Sequence, residues 1–77
     1  MPIYAEMLIE RDRAEGDELV TVMVRVTVEG CIRAAQPGVG IMADYPEFWR
    51  ATDRDGADVE LTEAEITQAE DALWRAR

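Results

Sequence analysis

The side chains that could do chemistry in this 77-residue sequence are carboxylates, arginines, two tyrosines and one thiol. Histidine, lysine and serine are absent, which excludes Ser-His-Asp triads, Cys-His dyads, Schiff-base lysines and zinc sites with three or four His or Cys ligands. Carboxylate pairs suit glycoside hydrolysis, but with 17 acidic residues such pairs arise by chance, and a short chain has little room for a cleft. We therefore expect no enzyme, no catalytic residue and no cofactor.

An acidic segment around Gly56 has the composition of a calcium loop. Aligned on this glycine as the sixth position of an EF-hand, Asp53 and Asp55 occupy positions three and five. Ala51 and Thr62 then fall at positions one and twelve, where the loop needs carboxylates. We expect a polar turn before a helix, and no metal site.

Two other small motifs also favour structural interpretations. Gly38-Val39-Gly40 lacks the lysine, the third glycine and the following helix of a phosphate-binding loop. Cys31 has Arg33 nearby but no imidazole or lysine to lower its pKa, so we expect a half-buried apolar side chain. A single cysteine makes no internal disulfide and indicates a reducing compartment.

The aromatic residues are the clearest candidates for contact with a protein partner, because Trp and Tyr supply much contact area at low entropic cost. They serve equally well in a core. Together with an exposed methionine, the candidate contact residues are Tyr45, Phe48, Trp49, Trp74 and Met23.

The net charge of -9 makes direct nucleic-acid binding unfavourable, because phosphates are repelled. Acids crowd a segment at residues 12–18 and another at 53–65. If these acids lie on one contiguous face, they could imitate a row of phosphates. If they are dispersed, they form an ordinary solvated surface. The sequence has neither a basic, apolar leader nor a membrane-length apolar run, which predicts one cytoplasmic domain over residues 1–77.

Two segments predict an N-terminal hairpin. Residues 3–11 alternate as a strand, and five valines alternate with other residues between Glu18 and Glu29. The charged residues 12–17 between them predict a loop of more than two residues. Tyr4, Leu8, Leu19 and Met23 fall on the face opposite the valines, which makes that face more apolar than a solvated one needs to be.

The middle of the chain carries weaker signals. Gly30 predicts a bulge or bend, after which residues 31–35 continue the strand irregularly. Pro37-Gly38 suits a type II turn with positive φ at the glycine, inside a loop at 36–46 whose Val39, Ile41 and Met42 reach the edge of the core. Residues 47–52 predict a third strand, and 58–61 a short edge strand.

The C-terminal segment predicts a helix from Glu63 to Ala76. Thr62 and Glu65 form a capping box, and Arg75 and Arg77 lie at the negative end of the helix dipole. An apolar stripe runs along one side of the helix: Ile66, Ala69, Leu73 and Ala76.

These elements predict an α+β fold, an antiparallel sheet of three or four strands with the helix on one face. The helix spans ~21 Å, whereas the second strand spans ~40 Å, so part of the valine row stays uncovered by the helix. Either the 31–46 loop or a second chain then covers that part, and a homodimer is one prediction.

The hairpin, the Pro/Gly loop ending in Tyr45-Pro46-Glu47, and the 55–62 segment leading into an acidic helix resemble small acidic proteins encoded by phages and prophages. The resemblance implies an accessory role in a bacterial cytoplasm and transfers no site residues. Three functions stay open: a non-enzymatic protein-interaction module, an acidic mimic of nucleic acid that blocks a host DNA-binding protein, and a small virion component.

Overall fold

The computed structural model describes residues 1–77 as a four-stranded sheet and one helix. The strands are β1 (Ile3–Glu15), β2 (Glu18–Arg33), β3 (Tyr45–Thr52) and β4 (Asp58–Val59), and the helix is α1 (Glu63–Ala76). The strands pair in chain order, each antiparallel to the next. The predicted α+β architecture, with a hairpin first and a helix on one face, is confirmed.

The hairpin is longer than the sequence predicts, and its turn is tighter. Pairing runs without interruption from Ile3 opposite Gly30 to Glu15 opposite Glu18, so the predicted long loop at 12–17 is wrong. Gly16 has φ +61° and Asp17 has no positive φ, which identifies a two-residue type II′ turn. The charged residues 11–13 remain in the strand because each pairs with a valine or threonine of β2, residues of high strand propensity.

Alternation along the strands directs one set of side chains towards the helix. The buried core lies between the sheet and one side of the helix, and six hydrophobic residues form it: Ile9, Val26, Val28, Ala51, Ala69 and Leu73. Ala76, predicted on the buried stripe, is exposed because it ends the helix, beyond the last core layer. The predicted meeting of the valine row with the helix stripe is confirmed.

Gly30 lies where the β3 backbone and the helix side chain Leu73 both come close to β2. Between Glu29 and Gly30 the register with β3 shifts by one residue, so the extra residue of the bulge is Trp49 on β3. A Cβ on Gly30 would lie 2.0 Å from the Glu47 carbonyl oxygen and 2.8 Å from Leu73 Cδ1. Glycine is required here because there is no room for a Cβ atom, and not because of its φ angle.

The first turn of the helix is held to the hairpin through Glu65. Its carboxylate accepts from the Thr62 backbone N–H (2.9 Å), while the Thr62 hydroxyl accepts from Glu65 N–H, completing the predicted capping box. Arg11 donates to both oxygens of the same carboxylate, at 2.5 and 2.8 Å, and to the Glu60 carbonyl oxygen. Chiefly through the Arg11 hydrogen bonds, the pKa of Glu65 falls from 4.5 to about 2.

The connection between β2 and β3 differs from its prediction. Pro37–Val39 form a turn of 3-10 helix, and Gly40, not Gly38, takes the positive φ (+88°), so the predicted type II turn is wrong. Gln36 and Ile41 close this loop by a bridge. Val39 and Met42 are exposed and do not reach the core edge, whereas Ile41 is half-buried.

The molecule is elongated because the end of the hairpin extends past the helix. Its principal extents are 56 × 22 × 17 Å, and its radius of gyration is 15.2 Å, against ~11.5 Å for a compact chain of this length. We call the part beyond Arg11, residues 12–21, the arm. The helix is neither long enough nor apolar enough to cross a membrane.

Replacing Gly30 with alanine tests the close approach of helix and sheet. We expect Gly30→Ala to lower the free energy of unfolding by about 2–3 kcal/mol, since backbone must move to admit the methyl group. Urea denaturation measures this. Gly38→Ala is the matched control: a Cβ there meets nothing within 4 Å, and φ is not positive. It should stay within about 0.5 kcal/mol of wild type. Equal losses would contradict the packing described.

Glu65→Gln tests the link between the helix cap and the hairpin. At pH 7 we expect a loss of about 1–2 kcal/mol, because the variant loses a charge-assisted hydrogen-bond pair and weakens the cap. A folded pKa below the ordinary value means that ionised Glu65 stabilises fully above pH 4.5, and that this contribution disappears as pH falls towards 2.

The difference between wild type and Glu65→Gln should therefore shrink between pH 5 and pH 2, measured by urea denaturation at each pH. Glu63→Gln is the control, since Glu63 lies in the same helical turn and its side chain forms no hydrogen bond or ion pair. A difference that is constant with pH would contradict the assigned role.

Candidate protein-interaction surface

The side of the sheet turned away from α1 has no second layer; we call it the open face. Alternate residues of β1 and β2 point to it, in register across the hairpin. Its large apolar side chains are between 46% and 76% exposed: Tyr4, Leu8, Leu19, Met23 and Trp49. Single exposed apolar residues are ordinary on a protein surface, but five on one sheet face form a candidate contact surface.

Most charged residues of the broad part of this face neutralise one another. Three cross-strand ion pairs lie there: Glu6–Arg25 (3.8 Å), Glu29–Arg50 (2.9 Å) and Glu47–Arg33 (2.5 Å). Each joins one acid to one arginine on the neighbouring strand. Asp58 on β4 opposes Thr52 on the same side of the sheet and forms no ion pair.

Each of the two aromatic residues at the broad end lies next to a carboxylate. Glu47 accepts from the indole N–H of Trp49 at 2.9 Å as well as from Arg33, and these bonds lower the pKa of Glu47. Tyr4 lies opposite Glu29 across the hairpin, and the neighbouring carboxylate raises the pKa of Tyr4. The hydrogen bond to Glu47 positions the Trp49 side chain before any partner arrives.

The structure divides the five predicted contact residues between the two sides of the sheet. Met23 and Trp49 lie on the open face, but about six residues of strand, ~20 Å, separate their positions. Tyr45 is half-buried and opposes Arg33 on the same side. Phe48 packs against the core under the helix. Trp74 is half-buried on α1, with the Arg77 guanidinium 3.7 Å from its ring centre.

Several acidic residues of the arm and of the turn after β3 form hydrogen bonds or ion pairs within their own segment. Asp12 accepts from the Thr21 hydroxyl, and Glu15 pairs with Arg13. The Asp53 carboxylate stabilises the turn in which it lies, because it accepts hydrogen bonds from the backbone N–H groups of Asp55 and Ala57, at 2.8 and 3.0 Å. No three acidic or thiol groups converge to hold a metal ion.

The arginine partners are the residues of this candidate surface that sequence reasoning did not single out. Which acid meets Arg50 or Arg33 depends on the one-residue shift at the Trp49 bulge, and no local pattern fixes that shift. The apolar members Tyr4, Leu8 and Leu19 do have a sequence signal, the alternation of strands one and two.

Comparisons of the chain with protein-family models, with curated proteins and with solved structures found no match.

The residues of the open face should contribute little to folding. We expect Met23→Glu to lower the free energy of unfolding by no more than about 1 kcal/mol, because the side chain is already 55% exposed and the new carboxylate stands opposite Glu10. Leu73→Ala, in the core, should cost about 2–5 kcal/mol. Thermal and urea denaturation at low protein concentration measure both. Comparable losses would show that the open face is structural.

Proposed function

We propose that the chain is a non-enzymatic protein-interaction module that binds through the open face. One observation carries the proposal: exposed apolar and aromatic side chains share a sheet face with three acids that are already paired with arginines. In a chain with 17 acids and eight arginines, three of the arginines lie on this face.

The energetics of burial favour such a face as a contact surface. Burying an unpaired charge costs far more than burying one that keeps its hydrogen-bonded partner. The carboxylates of Glu29 and Glu47 bring their arginine partners with them, so a partner protein need not supply compensating charge. The apolar area removed from water, ~25 cal/mol per Å², then supports binding, and Trp49 and Tyr4 are of the types that dominate interface energies.

The other two predicted functions have less support from the arrangement of side chains. A mimic of nucleic acid needs acids in an uninterrupted row, whereas arginines alternate with acids across the open face and the remaining acids are spread over the arm, a turn and the helix start. A small virion component needs a contact surface that repeats from one copy of the protein to the next. The phage resemblance and the cytoplasmic location stay predictions.

Comparative affinity capture tests the proposal. Immobilised wild-type chain and Met23→Glu are each incubated with a bacterial lysate that contains free wild-type chain, and bound proteins are quantified by mass spectrometry. We expect at least one protein, the chain itself or another, to bind wild type and to fall at least tenfold with Met23→Glu, because a buried unpaired carboxylate opposes the contact.

Met42→Glu is the matched control. Apart from Met1, Met42 is the most exposed large hydrophobic residue, and it lies on the loop between β2 and β3, outside the strands that form the open face. It should bind like wild type. Capture that Met23→Glu leaves unchanged, or that both variants reduce equally, would overturn the proposal.

A further inference from the structure

We propose that the free edge of β1 binds an extended basic segment of another protein, which adds to the sheet as a fifth strand antiparallel to β1. The backbone edge and the open face are different surfaces, so this inference does not rest on the proposed function. They meet along β1, whose alternate side chains belong to the open face and whose outward backbone groups form the edge.

The unpaired backbone of β1 carries the inference. β1 is the first strand of the sheet and pairs only with β2, without a bulge along its length. Because the turn holds two residues, Glu15 and Glu18 form a hydrogen-bonded pair, and the odd-numbered residues of β1 direct their N–H and C=O groups to β2. The even-numbered residues direct theirs away from the sheet. Among these outward groups between Tyr4 and Glu10, only the Glu10 carbonyl has a partner, the Arg11 guanidinium at 2.7 Å.

A groove follows this edge, between β1 and the helix. Ala5 and Met7 line it on the strand side, and Gln68 and Ala72 line it on the helix side. An added strand directs alternate side chains to the helix side of the sheet, where they enter this groove. The alanines and Met7 are half-buried, so the groove suits apolar side chains of moderate size. Sheet edges that take up extended peptides gain affinity from backbone hydrogen bonds and specificity from pockets for alternate side chains.

The charges beside the edge select the occupant. Glu6, Leu8 and Glu10 alternate on the open-face side of the same stretch, and the side chains of an antiparallel strand stand directly opposite them. Glu10 forms no ion pair, and Glu6 has only a long contact with Arg25, at 3.8 Å. Opposite charges directly across two strands stabilise their pairing. The segment that fits therefore carries a basic residue opposite each acid and an apolar residue opposite Leu8.

A second copy of this chain does not supply such a segment from either edge of its sheet. A pair of β1 strands centred on Leu8 sets Glu6 of one copy opposite Glu10 of the other, and like charges there are destabilising. The other edge strand, β4, has only two residues, Asp58 and Val59. The occupant is therefore a strand of a different protein.

Isothermal titration calorimetry with synthetic peptides tests the chemistry of the partner. The capped peptide Thr-Lys-Val-Val-Val-Lys-Thr places a lysine opposite Glu6 and Glu10 and its middle valine opposite Leu8. We expect this peptide to bind at least tenfold more tightly than the same peptide with glutamates in place of both lysines. N-methylation of the middle valine, whose N–H points to β1, should weaken binding at least tenfold. N-methylation of the next valine, whose N–H points away from β1, is the matched control and should leave binding unchanged.

Glu10→Lys and its control Glu18→Lys test the site on the chain. Both substitutions change the net charge equally, but Glu18 lies at the hairpin turn, where charges ~17 Å from Glu10 are screened in about 0.15 M salt. We expect Glu10→Lys to weaken binding of the lysine peptide about fivefold and to strengthen binding of the glutamate peptide. Glu18→Lys should change both far less. Equal effects of the two substitutions would show attraction by net charge alone and overturn the site.

Amide hydrogen exchange followed by NMR tests the strand geometry. In the free chain the N–H groups of Glu6 and Leu8 should exchange quickly and those of Ala5 and Met7 slowly, because only the latter bond to β2. The lysine peptide at about 1 mM should slow exchange at Glu6 and Leu8 several-fold or more. Absence of binding at this concentration, or binding without protection of these two amides, overturns the inference. Neither result bears on the open face, whose test is capture that depends on Met23.

Discussion

The structure depends on a difference in length between its helix and its hairpin. Fourteen helical residues extend ~21 Å, whereas the 13 residues of β1 extend ~43 Å. One helix therefore covers one face of the sheet over half of its length, and only six side chains become a buried hydrophobic core. The projecting arm, the elongated shape and the uncovered face all follow from this difference in length.

So small a core demands that the helix lie very close to the sheet and in one orientation. Close approach comes from small residues at the contact: Gly30 on β2, Ala51 on β3 and Ala69 on the helix. Contacts at both ends of the helix fix its orientation on the sheet. Arg11 binds the first turn through Glu65, and Leu73 packs over Gly30 near the last turn. The ionised Glu65 carboxylate thus completes the helix cap and also joins the two layers. These hydrogen bonds are why the pKa of Glu65 is well below its ordinary value.

The features predictable from sequence are those fixed by neighbours along the chain. The helix bounds match because Thr62, Glu65 and the apolar stripe act within a few residues, and β2 is recognisable from its valines alone. β1 extends through Arg13 and Glu15 only because β2 lies beside it, and a two-residue turn replaces the expected loop for the same reason. The candidate surface is predictable from sequence only in part. Alternation identifies its apolar members, but its ion pairs between β2 and β3 depend on a bulge at Trp49 that involves both strands.

The same distribution of charge discourages pairing of two copies along the sheet edge. β1 is a 13-residue edge strand without an internal proline, the kind of edge that invites a second strand. Antiparallel pairing of β1 with another β1 centred on Leu8 would set Glu6 against Glu10, and centring on Ile9 would set Glu6 against Asp12. Like charges directly opposite one another are destabilising. Glu6 is already paired with Arg25 within its own sheet, so the carboxylates that chiefly oppose contact through the edge are those of Glu10 and Asp12, which form no ion pair.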